Sequence, residues 1–402
     1  MSMRSPKSGF TLLELLAVIT ILCILIGLLL PHLVADRGAS FRNQCQAKIK
    51  QLGFALLNHE SAYRRFPLIF NAPAGTRPNS DTPQALLAKP AGKGTTASPG
   101  NMTGWSWIVR ILPYIEEGNL YKAIDLNSCQ FGSGKCLTTL RGPFDPAIVN
   151  GSAGYQHCSA AYLSAVICPN WAGNANTNGT TSVDNTARSG AGAPEYAAIP
   201  QQSQLSMPPG FVNVACPTNY KAIVGTHLQT TGDYPKTPVE NGAMLLTASQ
   251  GATISSISDG MSNTLLLCET KECGYCSWYD GTLNWVVTNN PNAPPPGTND
   301  LPPWTGASTA INAGFDPALA NAVIANTPMA GHNVPYLLST NMYTPTQANE
   351  DWGPSSDHPN GAVMHVYADC HVDAITDRVD PATYLNLTTR AGAESINRSL
   401  IR

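Results

Sequence analysis

Phe10-Thr-Leu-Leu-Glu-Leu-Leu-Ala-Val-Ile-Thr-Ile-Leu-Cys-Ile-Leu-Ile-Gly-Leu-Leu-Leu30, closed by Pro31, decides how this chain is organised. About 20 apolar residues span a bilayer core as a helix, and these 21 carry one charge, Glu14. The reading expects a transmembrane helix over 10–30. Arg4 and Lys7 precede it and place the N-terminus in the cytoplasm, so the rest of the chain lies outside. A secretory signal would have a shorter apolar region and a small-residue cleavage site; Pro31-His-Leu-Val-Ala-Asp follows here instead. A plain signal-anchor helix fits everything except Glu14. A carboxylate inside an apolar span is costly and requires a partner.

Beyond the span the helical pattern continues. Cys45, Ile49, Leu52, Leu56, His59 and Tyr63 recur at steps of four and three, which predicts an amphipathic extension over 31–65. The stripe is expected to pack on the ectodomain. A helix continuous from Phe10 would be roughly 80 Å long, kinked at Pro31 and loosened at Gly27 or Gly38. It stops near Phe66-Pro67.

Residues 66–402 read differently. The 402-residue chain holds 34 Gly and 32 Pro, and only 12% of its residues are charged, against about 25% in ordinary domains. That excludes a coiled coil and makes an all-helical fold untenable. A net charge of −3 leaves no electrostatic footprint for nucleic acid. Residues 71–103, 171–200 and 289–305 are Pro, Gly, Asn, Ser and Thr rich and read as long loops. Candidate strands are Tyr220–Val224, Ala243–Thr247, Asn263–Glu269, Leu283–Thr288 and Ala362–Ala368. Trp105–Leu112 is a helix ending before Pro113, or a strand. The expected fold class is α+β: a long N-terminal helix packed on an antiparallel sheet with large loop insertions.

Ten of the 11 cysteines lie outside the apolar run, an even set that fits an oxidising compartment. Connectivity is not legible. Cys129 and Cys136 flank a flexible Phe-Gly-Ser-Gly loop and form one candidate bridge; Cys273 and Cys276 form another, or pair elsewhere.

Gly9-Phe10-Thr-Leu-Leu-Glu14 resembles the type IV prepilin processing site. The resemblance implies cleavage between Gly9 and Phe10 by a prepilin peptidase and N-methylation of Phe10. The mature net charge becomes −5, from 21 bases against 26 acids once Arg4 and Lys7 are lost. It also gives Glu14 its partner, the amino terminus of a neighbouring subunit, so Phe10 and Glu14 direct assembly. Opposite charges in a low-dielectric setting stabilise each other, and the pair sets register more than stability.

A second resemblance covers nearly the whole chain. Its phrases come in order: Cys45-Gln-Ala-Lys-Ile-Lys-Gln-Leu-Gly, Gly104-Trp-Ser-Trp, Ile167-Cys-Pro169, Thr218-Asn-Tyr, Ile257-Ser-Asp-Gly-Met-Ser-Asn-Thr and His358-Pro-Asn-Gly-Ala. Together they look like the prepilin-like family, abundant in planctomycetes, whose ectodomain is the domain of unknown function 1559. That family's His–Asp hairpin motif falls at 358–372, with His358 and Asp369 as its marks. Where the motif closes on Asp-Gly, this chain has Asp369-Cys370. A turn needing φ > 0 suits Gly better than Cys, so the turn is reshaped or Cys370 is held by a disulfide.

Catalytic signatures are missing. There is no Gly-x-Ser-x-Gly elbow, and His59-Glu60 lacks the second His of a zinc-protease helix, Tyr63 standing in its place. His358, His365, Asp369 and His371 form the best potential ligand cluster; a hairpin with a turn-forming Asp and surface histidines accounts for them without a metal. No cofactor is therefore expected. Some pilin-like ectodomains bind calcium through loop oxygens, and the Asn/Asp-rich loops here would allow it, with no ligands specified.

The resulting expectation is a non-enzymatic structural subunit, a pilin or pseudopilin. Its leader is 1–9, and it enters the inner membrane through 10–30. It is periplasmic or on the cell surface once assembled into a type IV pilus or type II secretion pseudopilus. Its partners by resemblance are prepilin peptidase, an inner-membrane assembly platform, and itself or sibling pilins. The alternative is a membrane-anchored binding protein or enzyme that borrows this N-terminus. Its Trp105, Trp107, Trp171, Trp278, Trp285, Trp304 and Trp352 would stack on glycans, unless most pack in the core.

Overall fold

A computed structural model describes residues 12–71, 105–124, 163–170, 218–228, 239–246, 250–272, 278, 281, 284–293, 296, 302–314, 353–393 and 398–401. The leader, Gly9 and Phe10, the four cysteines of the two expected bridges, and the expected loops over 72–103 and 171–200 lie outside these residues.

Helix α1, Leu12–Tyr63, is 52 residues long, about 78 Å at 1.5 Å per residue. It is helical through Gly27, Pro31 and Gly38. It ends where Arg64 turns left-handed (φ 59°) and donates its N–H to the Glu60 carbonyl at 2.6 Å, with Pro67 just beyond. Among the described residues no helix is long and apolar enough to cross a membrane. Side chains of the expected span are described over 12–26.

The region over 105–112 contains both alternatives. Strand β2 (Trp105–Ser106) pairs antiparallel with β1 (Phe70–Asn71), and helix α2 (Trp107–Ile111) follows at once. Ser106 switches one to the other: its extended backbone ends the strand and its Oγ accepts from the Ile108 N–H at 3.1 Å. Pro113 falls in the following 3₁₀ turn, and a short helix α3 (Gly118–Ala123) completes this layer.

The central sheet has five strands: β3 (Tyr220–Gly225), β4 (Leu265–Glu269), β5 (Trp285–Val287), β6 (Val363–Tyr367) and β7 (Val372–Ile375), ordered β5-β3-β4-β6-β7. The sheet is mixed, a correction to the antiparallel expectation. After β4 the chain crosses to the far edge of β3 and runs parallel to it. All of β3, β4 and β6 are buried, because the sheet is covered on both faces. Tyr220, Ala222 and Val224 join the α1 side of the core; Ile223 joins a second cluster with Tyr384 and Leu387. Tyr384 belongs to helix α4 (Pro381–Asn386), capped by Asp380, whose Oδ2 accepts from the Thr383 N–H at 2.8 Å.

Of the expected strand at Ala243–Thr247, the described residues 243–246 form no strand; the backbone bends at 242–244 and at 246. Gly242 donates to Val224 O at 3.1 Å, and Leu245 O accepts from Ile69 N at 2.9 Å, so this segment ties two neighbours without joining a ladder. A Cβ at Gly242 would sit 2.7 Å from Val224 O, which explains why glycine stands there.

Candidate functional site

The two halves of α1 have opposite surfaces. From Leu12 to Ile26 the apolar side chains are exposed: Leu12 83%, Leu16 56%, Ile19 47%, Leu22 49% and Ile26 55%. They point in all directions and form no stripe. Such a helix requires an apolar surrounding. Its one hydroxyl in mid-run, Thr20, is satisfied by the Leu16 carbonyl at 2.8 Å. Glu14 stands in the first turn, where a carboxylate interacts favourably with the helix dipole.

The second half buries a stripe. Cys45, Ile49, Leu52, Leu56 and His59 are buried, as their spacing predicts, and Gly53, Ala55 and Glu60 join them. Tyr63 departs from the expectation at 58% exposed. The Tyr63 ring packs on His59 with centroids 4.6 Å apart. Gly53 lets the helix approach the sheet: a Cβ there would meet Val366 Cγ2 at 2.9 Å and Cys370 Sγ at 3.3 Å.

Beneath the helix lies a buried cluster that sequence reasoning missed. Cys45 of α1 forms a disulfide with Cys168, 123 residues on. One turn later, Lys48 Nζ donates to the carbonyls of Ser164 (2.7 Å) and Ile167 (2.8 Å), which fixes the segment carrying Cys168. Asn219 Oδ1 accepts from Cys168 N at 3.0 Å while its Nδ2 donates to Thr270 O at 3.2 Å. Tyr220 Oη donates to Cys45 O at 3.3 Å. Against this bridge stand His358 and Glu269. His358 Nε2 is 3.9 Å from Cys168 Sγ and 3.2 Å from Glu269 Oε2, and its Nδ1 is 3.3 Å from Asn170 Nδ2. Glu269 Oε2 is buried and pairs with the His358 imidazole. Burial pushes the Glu269 carboxyl up, and His358 holds it part of the way back. Both phrases carrying the bridging cysteines stand out in the sequence; only their pairing is illegible.

The His358, His365, Asp369 and His371 cluster does not form. The chain turns after β6, so strand alternation never places them together. Asp369 and Cys370 sit in the β6–β7 turn, and Cys370 adopts φ 69° as a free, buried thiol. The turn thus keeps its left-handed residue without glycine, and no disulfide holds it. His365 is not a surface histidine either. Its Nδ1–H donates to Val363 O at 2.9 Å and its Nε2 accepts from Tyr384 Oη at 2.8 Å, the Val363 carbonyl deciding the tautomer. Burial lowers its pKa to about 4. His371, near the surface, pairs with Asp369 through Nδ1 at 2.5 Å and stacks on Tyr367 at 3.9 Å. His358 is buried in the disulfide cluster.

A groove of about 380 Å³ opens at the end of α1, where His59, Tyr63, Tyr114 and Tyr121 meet Arg65 and Arg110. Burial lowers the His59 pKa and the Arg110 charge lowers it further, against the opposing bond to Arg65 O. The described tryptophan side chains pack inside: Trp107, Trp278 and Trp285 are fully buried and Trp304 nearly so.

Residues 4–30 match the prokaryotic N-terminal methylation motif, which takes in Gly9, Phe10 and Glu14. Residues 35–382 match the family described as protein of unknown function DUF1559. The chain belongs to the DUF1559 family. No curated protein and no solved structure matches it. In this DUF1559 chain the two matched segments meet within α1, so the methylation motif and the family's ectodomain share one helix.

Proposed function

We propose that this DUF1559 protein is a non-enzymatic structural subunit, a type IV pilin-like or pseudopilin protein. Prepilin peptidase processes it after Gly9, and it assembles into a filament or a type II secretion pseudopilus. The observation that carries this reading is the division of α1. A methylation motif heads a helix whose first turns expose apolar side chains all round, while its second half is packed into the ectodomain. The exposed half then has two successive environments. The inner membrane stores the subunit, with the N-terminus cytoplasmic and the ectodomain outside; the helices of neighbouring subunits replace lipid on assembly. Glu14 meets the methylated amino terminus of Phe10 on a neighbour.

The first test is mass spectrometry of the mature N-terminus in cellular and sheared surface fractions. A chain beginning at methylated Phe10 in the sheared fraction is expected. A chain that keeps Met1, or that stays wholly in the membrane, refutes assembly. Glu14→Ala is expected to leave cleavage intact and to remove the protein from the sheared fraction; wild-type amounts there would sink the role given to Glu14.

The groove of tyrosines and arginines favours a second reading, a tethered extracytoplasmic binding protein. Aromatic faces with two guanidinium groups suit an anionic glycan. Retention in the membrane together with glycan binding lost in Arg110→Ala would select it.

A further inference from the structure

Four ligand-bearing side chains converge under α1: Cys45, Cys168, Glu269 and His358 are all buried, and their donor atoms lie within 4.8 Å of one another. They come from four separated stretches: α1, the segment after the 3₁₀ turn Ser164–Val166, the end of β4, and the loop before β6. A disulfide accounts for the two sulfurs. It does not account for a buried carboxylate and a buried imidazole held 3.2 Å apart beside the same sulfurs.

We propose that in its dithiol form this cluster is a closed, four-ligand zinc site, so that disulfide and metal are alternative locks at one position. Two thiolates, one imidazole and one carboxylate make a tetrahedral Zn²⁺ donor set, and full burial leaves no open position, as in structural rather than catalytic sites. Bonds of about 2.3 Å to sulfur and about 2.0–2.2 Å to nitrogen and oxygen place ligand atoms roughly 3.3–3.8 Å apart. His358 Nε2 and Glu269 Oε2, at 3.2 Å, are already at that spacing, and His358 Nε2 lies 3.9 Å from Cys168 Sγ. Only the sulfurs must separate. The Asn170 side-chain amide, beside His358 Nδ1 at 3.3 Å, supplies the acceptor that orients a metal-bound histidine once its oxygen faces the ring.

The chemistry balances. A dithiol reductant gives two electrons and two protons to the Cys45–Cys168 bond and becomes a disulfide itself. Zn²⁺ then displaces the two thiol protons to solvent and is bound by both thiolates, the His358 Nε2 lone pair and Glu269 Oε2. Oxidation of the thiolates by a disulfide oxidant releases the metal. Either lock joins α1 to the sheet. The metal lock serves in reducing surroundings, the disulfide in oxidising ones. The inference is independent of assembly.

The test uses the full-length protein in detergent, reduced with a phosphine or kept oxidised, exposed to zinc alone and freed of excess by gel filtration. Reduced wild type is expected to hold one more equivalent of zinc than oxidised wild type and than reduced His358→Gln. Equal zinc in reduced wild type and in folded His358→Gln overturns the proposal, as does equal zinc in both redox forms. X-ray absorption at the zinc edge of reduced wild type needs no variant. A component with two sulfur and two nitrogen or oxygen neighbours supports the site, and its absence refutes it.

Discussion

Removing the Cys45–Cys168 bridge tests how α1 is held to the sheet. The bond closes a loop of 123 residues. In the chain-entropy account, deleting a cross-link over that length restores about 16 cal/mol/K to the unfolded chain, or about 5 kcal/mol at 25 °C. Unfolding entropy of roughly 2.1 cal/mol/K per residue gives about 0.84 kcal/mol/K for 402 residues. The melting temperature of Cys45→Ser/Cys168→Ser is therefore expected to fall by about 6 °C. The assay is thermal denaturation of detergent-solubilised protein followed by near-ultraviolet circular dichroism, with a chelator present to remove metals. With reductant present in both samples, wild type and variant should melt together. A variant that melts within a degree of the oxidised wild type would refute the reasoning, because the bond would then join segments already held together in the unfolded state.

Three further outcomes follow from other buried contacts. Lys221 and Glu272 form a fully buried ion pair; Lys221→Met removes the buried cation beside the carboxylate and should cost about 3–5 kcal/mol, while Lys221→Met/Glu272→Leu should cost far less, and urea unfolding that ranks the two alike would contradict the pairing. His365 stays neutral in the fold down to about pH 4, whereas an unfolded histidine takes up a proton near pH 6.5. The unfolded chain thus binds more protons between these values, so stability is full above about pH 6.5 and falls by about 3 kcal/mol as pH drops through 4. His365→Gln should flatten this part of the pH–stability curve, and an unchanged slope would place the titration elsewhere. Gly53→Val puts methyl groups against Val366 and Cys370 and should cost about 1–3 kcal/mol by overpacking, read as a lower urea midpoint; an unaltered midpoint would mean that α1 lies farther from β6.

The amino-acid sequence by itself determined what is encoded within one element or one contiguous motif. Residues 4–30 carry the N-terminal methylation motif, and the spacing from Cys45 to His59 marks the buried face of α1, because a helix repeats every 3.6 residues whatever it packs against. Strands β3, β4, β5 and β6 were legible within a few residues at their ends. Residues 243–246 read as a strand and are not one, because apolar residues in a bend bury as well as those in a strand.

Only the tertiary structure decided relations between distant segments. Nothing local says that β5 lies parallel on β3, that Cys45 meets Cys168, or that Glu269 and His358 close on that bridge. Each depends on which segments the loops bring together, and loop sequence constrains chain direction only weakly. The split of the four histidine-motif residues into three environments has the same origin. Their spacing suits a strand, but the chain turns at Asp369 and Cys370, and the packing of α4 and β4 then decides which imidazole is buried and against what.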